Sequence, residues 1–261
     1  MIDDFELLEI IAKSSRSMVH RARDRRSGGI VAVKLLPESC IETAWKRETA
    51  ALAQIQHDQV IQLHESGLCE GGAYVALEWL SGADLSSVIS RHPLPIREFS
   101  RLVKQSLCAL SAVHQAGYLH RDIKPENLMQ STSGDWKLID FGEARPLLEA
   151  TQQAMIGSIY FMAPEQFGQA PLTPRTDLYS LGCTFYRAVA GRYLHDGDTT
   201  PQVIASHLHP SPIPLQDQPP RLPTQLAQWL QTLVSRQPSG RPISAQWALE
   251  QFDTININAH S

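Results

Sequence analysis

Hydrophobic and polar residues alternate along most of the first third of the chain. Alternation places successive side chains on opposite faces of an extended strand, whereas a helix repeats its apolar positions about once per turn. The alternating segments predict strands over residues 5–11, 18–23, 30–36, 60–66 and 73–79. Between the third and the fourth strand, residues 41–56 carry apolar side chains at helical spacing. The first third is therefore predicted to be a small sheet with one helix.

The pattern changes after Gly82. Residues 99–117, 177–190 and 226–235 show helical periodicity, and the proline-rich run 209–223 is typical of a connecting loop. Residues from 256 onward are polar and are predicted to fray. The order of segments predicts an α+β fold in which a small sheet-rich part precedes a larger helical part.

The composition is that of an ordinary globular protein. With 261 residues, of which 43% are hydrophobic and 19% charged, the chain can bury enough apolar surface to fold as one catalytic unit of two packed parts. Its formal net charge of -4 lacks the positive field that nucleic acid binding requires. We therefore expect no nucleic acid partner.

The cysteines and the opening residues indicate a compartment. Cys40, Cys69, Cys108 and Cys183 are scattered without a CxxC pair, which argues against a zinc site or a disulfide framework. The start of the chain is acidic rather than basic, and no run approaches the roughly 18 apolar residues of a membrane span. We expect reduced thiols, no membrane segment in this chain and a cytoplasmic location.

Three short segments carry the residue types that phosphoryl transfer requires. That reaction needs oxygen ligands for a metal, a cation on the phosphates and an acceptor near the attacking hydroxyl. The segments are Val31-Ala32-Val33-Lys34, His120-Arg121-Asp122-Ile123-Lys124-Pro125-Glu126-Asn127 and Asp140-Phe141-Gly142. In them the chain resembles the eukaryotic-type protein kinase family, and the resemblance extends over residues 5–252.

The resemblance implies a fold and a cofactor. The family has a two-lobed α+β fold, with a small β-rich N-lobe that contains one key helix and a larger, mostly helical C-lobe. Here a single kinase domain would cover residues 1–261, with an N-lobe of about 1–80, a C-lobe of about 81–253 and a frayed tail of 254–261. ATP and Mg²⁺ would bind in the cleft between the lobes, and a protein substrate would supply the acceptor hydroxyl.

The resemblance also assigns catalytic roles. Lys34 would contact the phosphates and pair with Glu48, although alone they could be an exposed strand end and a solvated helix face. The catalytic-loop segment matches the family form at all but one position. Asp122 would accept or orient the proton of the substrate hydroxyl, and Lys124 is typical of the Ser/Thr class.

Metal and nucleotide ligands follow from the same resemblance. Asn127 and Asp140 would hold Mg²⁺, which prefers oxygen ligands. Leu77 occupies the gatekeeper position, and Asp84 matches the acid that binds the ribose. The apolar residues could equally be ordinary core. The predicted nucleotide-binding residues are Ile11, Ser14, Ser17, Val19, Ala32, Lys34, Leu77, Glu78, Leu80, Asp84 and Leu128.

Residues 157–165, Gly-Ser-Ile-Tyr-Phe-Met-Ala-Pro-Glu, match the family's substrate-docking segment. This segment distinguishes protein kinases from small-molecule kinases, so the latter interpretation is disfavoured. The resemblance implies a buried ion pair between Glu165 and Arg241, and it implies that Asp177 braces the catalytic loop. We interpret these three residues as structural.

The family's glycine-rich loop is the main departure. Its glycines would fall at Ala12, Ser14 and Ser17, and none of these is glycine. A β-carbon there adds bulk and restricts φ where the backbone approaches the phosphates, so weaker or slower nucleotide binding is expected. Lys13 and Arg16 could offset the lost contacts with positive charge, or they could be solvated residues on a mobile loop.

A second departure concerns activation. The usual regulatory phosphoacceptor position is Ala154, and Thr151 is the only hydroxyl residue among residues 143–156. The arginine before the catalytic aspartate, Arg121, would then meet Glu149 or no phosphorylated group. We predict activity without phosphorylation of this loop.

Two other features carry less weight. His207 and His209 could suggest a metal, but two histidines without a third ligand are typical of surface residues. Trp79, beside the adenine position, could cover the purine or pack against the neighbouring chain, and we favour packing.

Two functions are compatible with these residues. One is an active Ser/Thr protein kinase. The other is a pseudokinase that keeps the fold and serves as a nucleotide-binding scaffold or allosteric partner, which the altered loop favours. The residues that a catalytically inactive relative usually loses are all present, so we favour the active enzyme; they are Lys34, Glu48, Asp122, Asn127 and Asp140.

Overall fold

One antiparallel sheet forms the first part of the protein. The structure is a computed structural model, and it describes residues 2–149, 158–168, 170–209 and 222–255. Its strands are β1 (Phe5–Lys13), β2 (Met18–Asp24), β3 (Ile30–Pro37), β4 (Leu63–Cys69) and β5 (Gly72–Glu78), in the order β1-β2-β3-β5-β4. All five were predicted by the alternation. Strand β4 begins later than predicted, because Val60 instead forms a bridge to Leu138 in the second part of the chain.

Strand β3 shows how alternation positions the site. Val31 and Val33 belong to a small apolar cluster on one face of the sheet, whereas Ala32 belongs to the main core on the other. Successive side chains of a strand point to opposite faces. Lys34 therefore faces the same side as Ala32, toward the rest of the protein.

The single helix between β3 and β4 is α1 (Lys46–Gln54). It is shorter than the predicted segment 41–56, because Ile41–Trp45 form a π-helical turn before it. Glu48 lies in its first turn and is fully buried.

Helix α1 is anchored on both sides. The indole N–H of Trp45 donates a hydrogen bond to the backbone carbonyl of Tyr74 in β5, at 3.1 Å. The side-chain amide of Gln54 donates to the hydroxyl of Tyr118, at 3.2 Å. These contacts join α1 to the sheet at one end and to the helical part at the other.

The second part of the chain is mostly helical. Its helices are α2 (Leu85–Ile89), α3 (Ile96–Gln115), α4 (Pro174–Ala190), α5 (Thr200–Leu208), α6 (Thr224–Leu233) and α7 (Ala245–Asp253). Two short antiparallel pairs join β6 (Tyr118–Leu119) to β9 (Arg145–Pro146) and β7 (Leu128–Gln130) to β8 (Trp136–Leu138). The predicted α+β fold, a sheet-rich N-lobe before a larger helical C-lobe, is confirmed.

Aromatic side chains hold the C-lobe helices together. The ring centroids of Phe99 and Phe185 are 5.9 Å apart, those of Phe185 and Trp229 are 6.0 Å apart, and those of Trp229 and Phe252 are 4.8 Å apart. Edge-to-face and offset contacts between aromatic rings at such distances add stabilisation to that from burying their apolar surface. The series connects α3, α4, α6 and α7.

Three C-lobe helices, α2, α5 and α7, were not predicted. Helices α2 and α7 nevertheless begin with N-cap side chains, since Asp84 and Ser244 accept hydrogen bonds from backbone amides in the first turn. Of the predicted loop and tail, residues 210–221 and 256–261 lie outside the described residues. All the cysteines are free thiols. Within the described ranges, no helix combines the length and apolarity needed to cross a membrane.

Candidate active site

A cleft between the lobes brings together nearly all of the predicted site residues. Its cavity has a volume of about 740 Å³. The predicted residues that line it are Ile11, Ser14, Ser17, Val19, Ala32, Lys34, Glu48, Leu77, Glu78, Leu80, Asp84, Asn127 and Asp140. Asp122 and Lys124 lie next to this surface and contact it through Asn127.

Leu128 does not line the cleft, contrary to the prediction. Its side chain is buried in the main core, with 1% of its surface exposed, and the next residue, Met129, faces the cavity instead. Both belong to β7, where neighbouring side chains point in opposite directions. Met129 is therefore the cleft-facing residue of this strand.

Lys34 stands at the centre of the cleft. Its Nζ lies 3.0 Å and 2.8 Å from the two carboxylate oxygens of Glu48, and 2.8 Å from Oδ1 of Asp140. Burial disfavours the charged ammonium, but the two carboxylates outweigh it and raise the pKa of Lys34. The side chain is therefore a fixed cation that connects α1 with the Asp-Phe-Gly segment.

Asp140 is ionised and partly accessible. Burial opposes its ionisation, but the ammonium of Lys34 outweighs burial and lowers the pKa of the Asp140 carboxyl. Its side chain keeps 46% of its surface exposed. A carboxylate in this setting can ligate a cation in the cleft.

The catalytic-loop residues form a second polar group. Nζ of Lys124 lies 2.7 Å from Oδ2 of Asp122. The side-chain amide of Asn127 donates to the backbone carbonyl of Asp122 at 2.7 Å and to its Oδ2 at 3.0 Å. Because Asn127 uses its N–H group for Asp122, its amide oxygen is the atom available to a cation.

The backbone of this region is strained. Arg121 has a φ of 70° and Asp140 a φ of 60°, and within the described ranges they are the only non-glycine residues with positive φ. Such residues cluster at functional sites and persist only where the surroundings hold them. The Asp177 carboxylate holds the first, since it accepts the backbone amides of His120 and Arg121, both at 2.9 Å. This is the bracing contact that the resemblance implies.

Strand β5, which borders the cleft, is held in place through the side chain of Glu78. The carboxylate of Glu78 lies 2.7 Å and 2.9 Å from Nζ of Lys137 and accepts the backbone amide of Gln62 at 2.8 Å. The backbone amide of Glu78 itself donates to the carbonyl of Gln62 at 3.0 Å. The side chain of Glu78 therefore ties β5 to β8.

Two residues at the cleft edge have structural partners as well. Asp84 caps α2, accepting the backbone amide of Ser87 at 2.9 Å and its hydroxyl at 2.6 Å. Trp79 lines the cavity, and the guanidinium carbon of Arg21 lies 5.6 Å from its ring centroid. Trp79 therefore packs, as predicted, and also borders the ligand space.

The β1–β2 turn, at the position of the glycine-rich loop, is closed by serine. The hydroxyl of Ser14 accepts the backbone amides of Arg16 at 3.1 Å and Ser17 at 3.0 Å. The amide of Ser14 donates to the carbonyl of Ser17 at 2.8 Å. The turn keeps ordinary negative φ values, so it tolerates serine, but these three amides are already engaged.

Arg16 reaches from this turn to the opposite lobe, where it forms an ion pair with Glu143. Glu143 directly follows the Asp-Phe-Gly segment and is 6% exposed. The acids whose charge acts on Arg121 are Glu143 and Asp177. Of the two expected alternatives for Arg121, Glu149 is not its partner in the described residues, since Glu149 is exposed; that Arg121 meets no phosphorylated group stays a prediction.

The predicted ion pair in the C-lobe is present. Nη1 and Nη2 of Arg241 lie 2.6 Å and 2.9 Å from the two carboxylate oxygens of Glu165, and both side chains are buried. Thr176 also donates its hydroxyl to Glu165, at 2.9 Å. Of the predicted docking and activation residues, Thr151, Ala154 and Gly157 lie outside the described residues.

His207 is not a surface residue, contrary to expectation. It is 1% exposed because α5 packs it against α4, where the hydroxyl of Tyr179 lies 2.8 Å from both His207 Nδ1 and His195 Nε2. Burial lowers the pKa of His207 to about 3 and that of His195 to about 4. His209 is exposed, and no cluster of three or more metal-ligating side chains occurs in the described part of the chain.

Three residues that shape the cleft were missed from the sequence: Met129, Lys137 and Glu143. For Glu143, its position next to Asp-Phe-Gly was the only signal, and its partner Arg16 is 127 positions away. Lys137 and Met129 lie on short strands whose facing residues periodicity does not reveal.

Comparisons with known proteins agree with this geometry. A family model for the protein kinase domain matches residues 5–252. The chain is 32% identical to serine/threonine-protein kinase PknB of Mycobacterium leprae over 226 residues, which are 81% of this chain and 36% of that protein. It is 31% identical to PknD of Mycobacterium tuberculosis over 252 residues, 92% of this chain and 38% of the relative.

A third relative, the probable serine/threonine-protein kinase CPE1738 of Clostridium perfringens, is 28% identical over 260 residues, 96% of this chain and 38% of the relative. The chain thus spans less than two fifths of the length of these curated relatives. The family model nevertheless covers nearly the whole chain, from the start of β1 into the last turn of α7. This chain belongs to the protein kinase family.

Proposed function

We propose that the chain is an active Ser/Thr protein kinase that transfers the γ-phosphate of Mg-ATP to serine and threonine hydroxyls of a protein substrate. The observation that carries this proposal is the position of Lys34 Nζ, 2.8 Å from both Glu48 Oε2 and Asp140 Oδ1. Both contacts form only when α1 lies against the sheet and Asp140 is turned into the cleft. Protein kinases need both features for transfer.

The donor atoms in the cleft suit Mg-ATP. The exposed carboxylate of Asp140 and the amide oxygen of Asn127 are the hard oxygen ligands that Mg²⁺ prefers. Lys34 would contact the phosphates, and Val19 and Ala32 would enclose the purine. When bound, Mg²⁺ neutralises charge on the phosphates during transfer.

Asp122 would orient the acceptor hydroxyl and accept its proton. Lys124 and Asn127 hold its carboxylate at 2.7 Å and 3.0 Å, so its direction is set before a substrate binds. Lys124 at this position supports serine and threonine rather than tyrosine as acceptors. The proposal treats residues 1–261 as one cytoplasmic kinase domain whose lobes divide near residues 80 and 81.

Transfer of the γ-phosphate from Mg-ATP to a general protein acceptor, and to the chain itself, tests the proposal. We expect phosphorylated serine and threonine, and loss of transfer in Asp122→Asn. Asp253→Asn, which changes an exposed carboxylate paired with Lys104, is the matched control and should keep wild-type transfer. Wild-type chain that binds nucleotide without transferring phosphate would sink the proposal.

The second candidate is a pseudokinase that binds nucleotide and serves as a scaffold. The engaged amides of the β1–β2 turn favour it, because they cannot contact phosphates without breaking the serine hydrogen bonds. A panel of free metabolites, assayed as phosphate acceptors alongside the proteins, tests the disfavoured interpretation that the chain is a small-molecule kinase. Transfer to protein alone supports the first proposal over both others.

A further inference from the structure

Arg16 carries positive charge from the β1–β2 turn to the mouth of the cleft. The hydrogen bond that Arg16 donates to the Glu143 carboxylate is the main reason that the pKa of Arg16 is raised, and the carboxylates of Asp140 and Asp122 act in the same direction. The ion pair also fixes the position of the guanidinium: Glu143 follows the proposed metal ligand Asp140 by three residues, and Ser14 and Ser17, beside Arg16, line the same cleft as Asp140. A terminal phosphate that is transferred from a nucleotide bound at Asp140 would lie at this end of the cleft.

The turn carries two cations near that phosphate: Lys13, which lines the cleft, and Arg16, which Glu143 holds. A glycine-rich loop uses backbone N–H groups as phosphate donors. Here the amides of Ser14, Arg16 and Ser17 are all occupied within the turn, at 2.8–3.1 Å. A side-chain donor can therefore take the place of these three backbone donors.

Glu143 fixes the direction of Arg16. Its carboxylate is buried, and the charges of Arg121 and Arg145 also act on it from the C-lobe. It accepts one hydrogen bond from Nη1 of Arg16, whose side chain remains 65% exposed. A guanidinium has five N–H donors in a rigid fork, so Arg16 can keep Glu143 and still bind a second anion.

We propose that Arg16 binds the terminal phosphate of the nucleotide, with Glu143 as the positioning residue that holds it over the cleft. The inference rests on the proposed kinase function and adds the group that replaces the missing glycine-loop contacts. It also predicts a preference for a nucleoside triphosphate over a diphosphate, which a merely structural ion pair between the lobes would not create.

Equilibrium binding of Mg-ADP and of the non-hydrolysable β,γ-imido analogue of Mg-ATP provides the test, by calorimetry on the full chain. In Arg16→Gln we expect affinity for the triphosphate analogue to fall about tenfold, the typical value of one charge-assisted hydrogen bond, and affinity for ADP to fall less than about twofold. Arg25→Gln is the matched control. It removes the same charge from an exposed position away from the cleft and should change neither affinity.

Equal losses for both nucleotides in Arg16→Gln, or no loss for either, would overturn the role of Arg16 while leaving the kinase proposal intact, provided that the wild-type chain transfers phosphate. A wild-type chain that binds neither nucleotide overturns the kinase proposal and this inference together. A selective loss in Arg16→Gln accompanied by an equal loss in Arg25→Gln would mean long-range charge rather than contact, and would also reject the inference.

Discussion

The carboxylate of Asp177 in α4 accepts a hydrogen bond from the backbone amide of Arg121 at 2.9 Å, across 56 positions of sequence. Arg121 has a φ of 70°, a conformation that side chains other than glycine rarely adopt. A buried charge in one helix thus stabilises the strained loop that presents Asp122. The same carboxylate lies 2.9 Å from His114 Nε2 and so connects α3 to the loop as well.

Asp177→Asn should weaken the hydrogen bonds to the backbone amides of His120 and Arg121 while keeping the size of the side chain. Replacing a carboxylate acceptor by an amide removes charge-assisted hydrogen bonds, so we expect the free energy of unfolding in urea to fall by about 2 kcal/mol. Phosphate transfer should fall more steeply than nucleotide affinity, because the displaced group is Asp122. Asp253→Asn serves as the control with an expected change below about 1 kcal/mol. Wild-type stability in Asp177→Asn would contradict the assignment.

The Glu165–Arg241 pair should dominate the stability of the C-lobe. Arg241→Met leaves the buried carboxylate of Glu165 without its partner, and we expect a loss of about 3–5 kcal/mol in the free energy of unfolding. Arg101→Met is the matched control, since its ion pair with Asp135 is exposed and should contribute less than about 1 kcal/mol. Similar losses in both variants would show that the burial of the Glu165–Arg241 pair does not determine how much its loss lowers the free energy of unfolding.

Acid should destabilise the protein through its buried histidines. Burial lowers the pKa of His195 to about 4 and that of His207 to about 3. In the unfolded chain both histidines would have a pKa of about 6.5, so the unfolded state binds protons before the folded state does as the pH falls. The free energy of unfolding should therefore decrease below pH ~6.5, by about 1.4 kcal/mol per pH unit for each histidine that stays neutral.

Urea unfolding at several pH values between about 7 and 5 measures this slope. His207→Gln should flatten it, because one titrating group is removed. His64→Gln, at an exposed position, should leave it as in the wild type. A slope that is unchanged in His207→Gln would count against the buried neutral histidine.

Activity should not depend on phosphorylation of the segment before the docking residues. The position where the family usually has a phosphoacceptor is Ala154. The charge of the buried Glu143 carboxylate already acts on Arg121, the residue that would receive the phosphate. We expect Thr151→Ala to keep wild-type transfer and the unphosphorylated protein to be active, as checked by mass spectrometry before the assay. A requirement for phospho-Thr151 would refute this.

The central site was predictable because its signals are local. Lys34 is defined by strand alternation together with its neighbours, and the catalytic-loop segment is nearly contiguous in sequence. Each such residue needs only the orientation of its own strand or loop to reach the cleft.

The remaining features depend on tertiary packing. The sequence predicts Leu128 at the cleft where the structure has Met129. A shift of one residue along a strand moves the side chain to the opposite face of the sheet, and a strand of three residues is too short to show which face is apolar. His207 was misjudged because α5 was not foreseen. Glu143 could not be assigned since its significance comes from Arg16, which only the closed arrangement of the lobes brings into contact.

Helix α1 has a mechanical consequence beyond its glutamate. Trp45 ties one end to the sheet and Gln54 ties the other to Tyr118 in the C-lobe, so α1 acts as a strut whose span, nine residues at about 1.5 Å each, is roughly 13 Å. When the lobes separate, the neutral hydrogen bond between Gln54 and Tyr118, worth only about 1 kcal/mol, stretches or breaks together with the Arg16–Glu143 and Lys34–Asp140 ion pairs. The link through α1 is then the weakest of these three, so the charged pairs inside the cleft contribute most to holding the lobes closed.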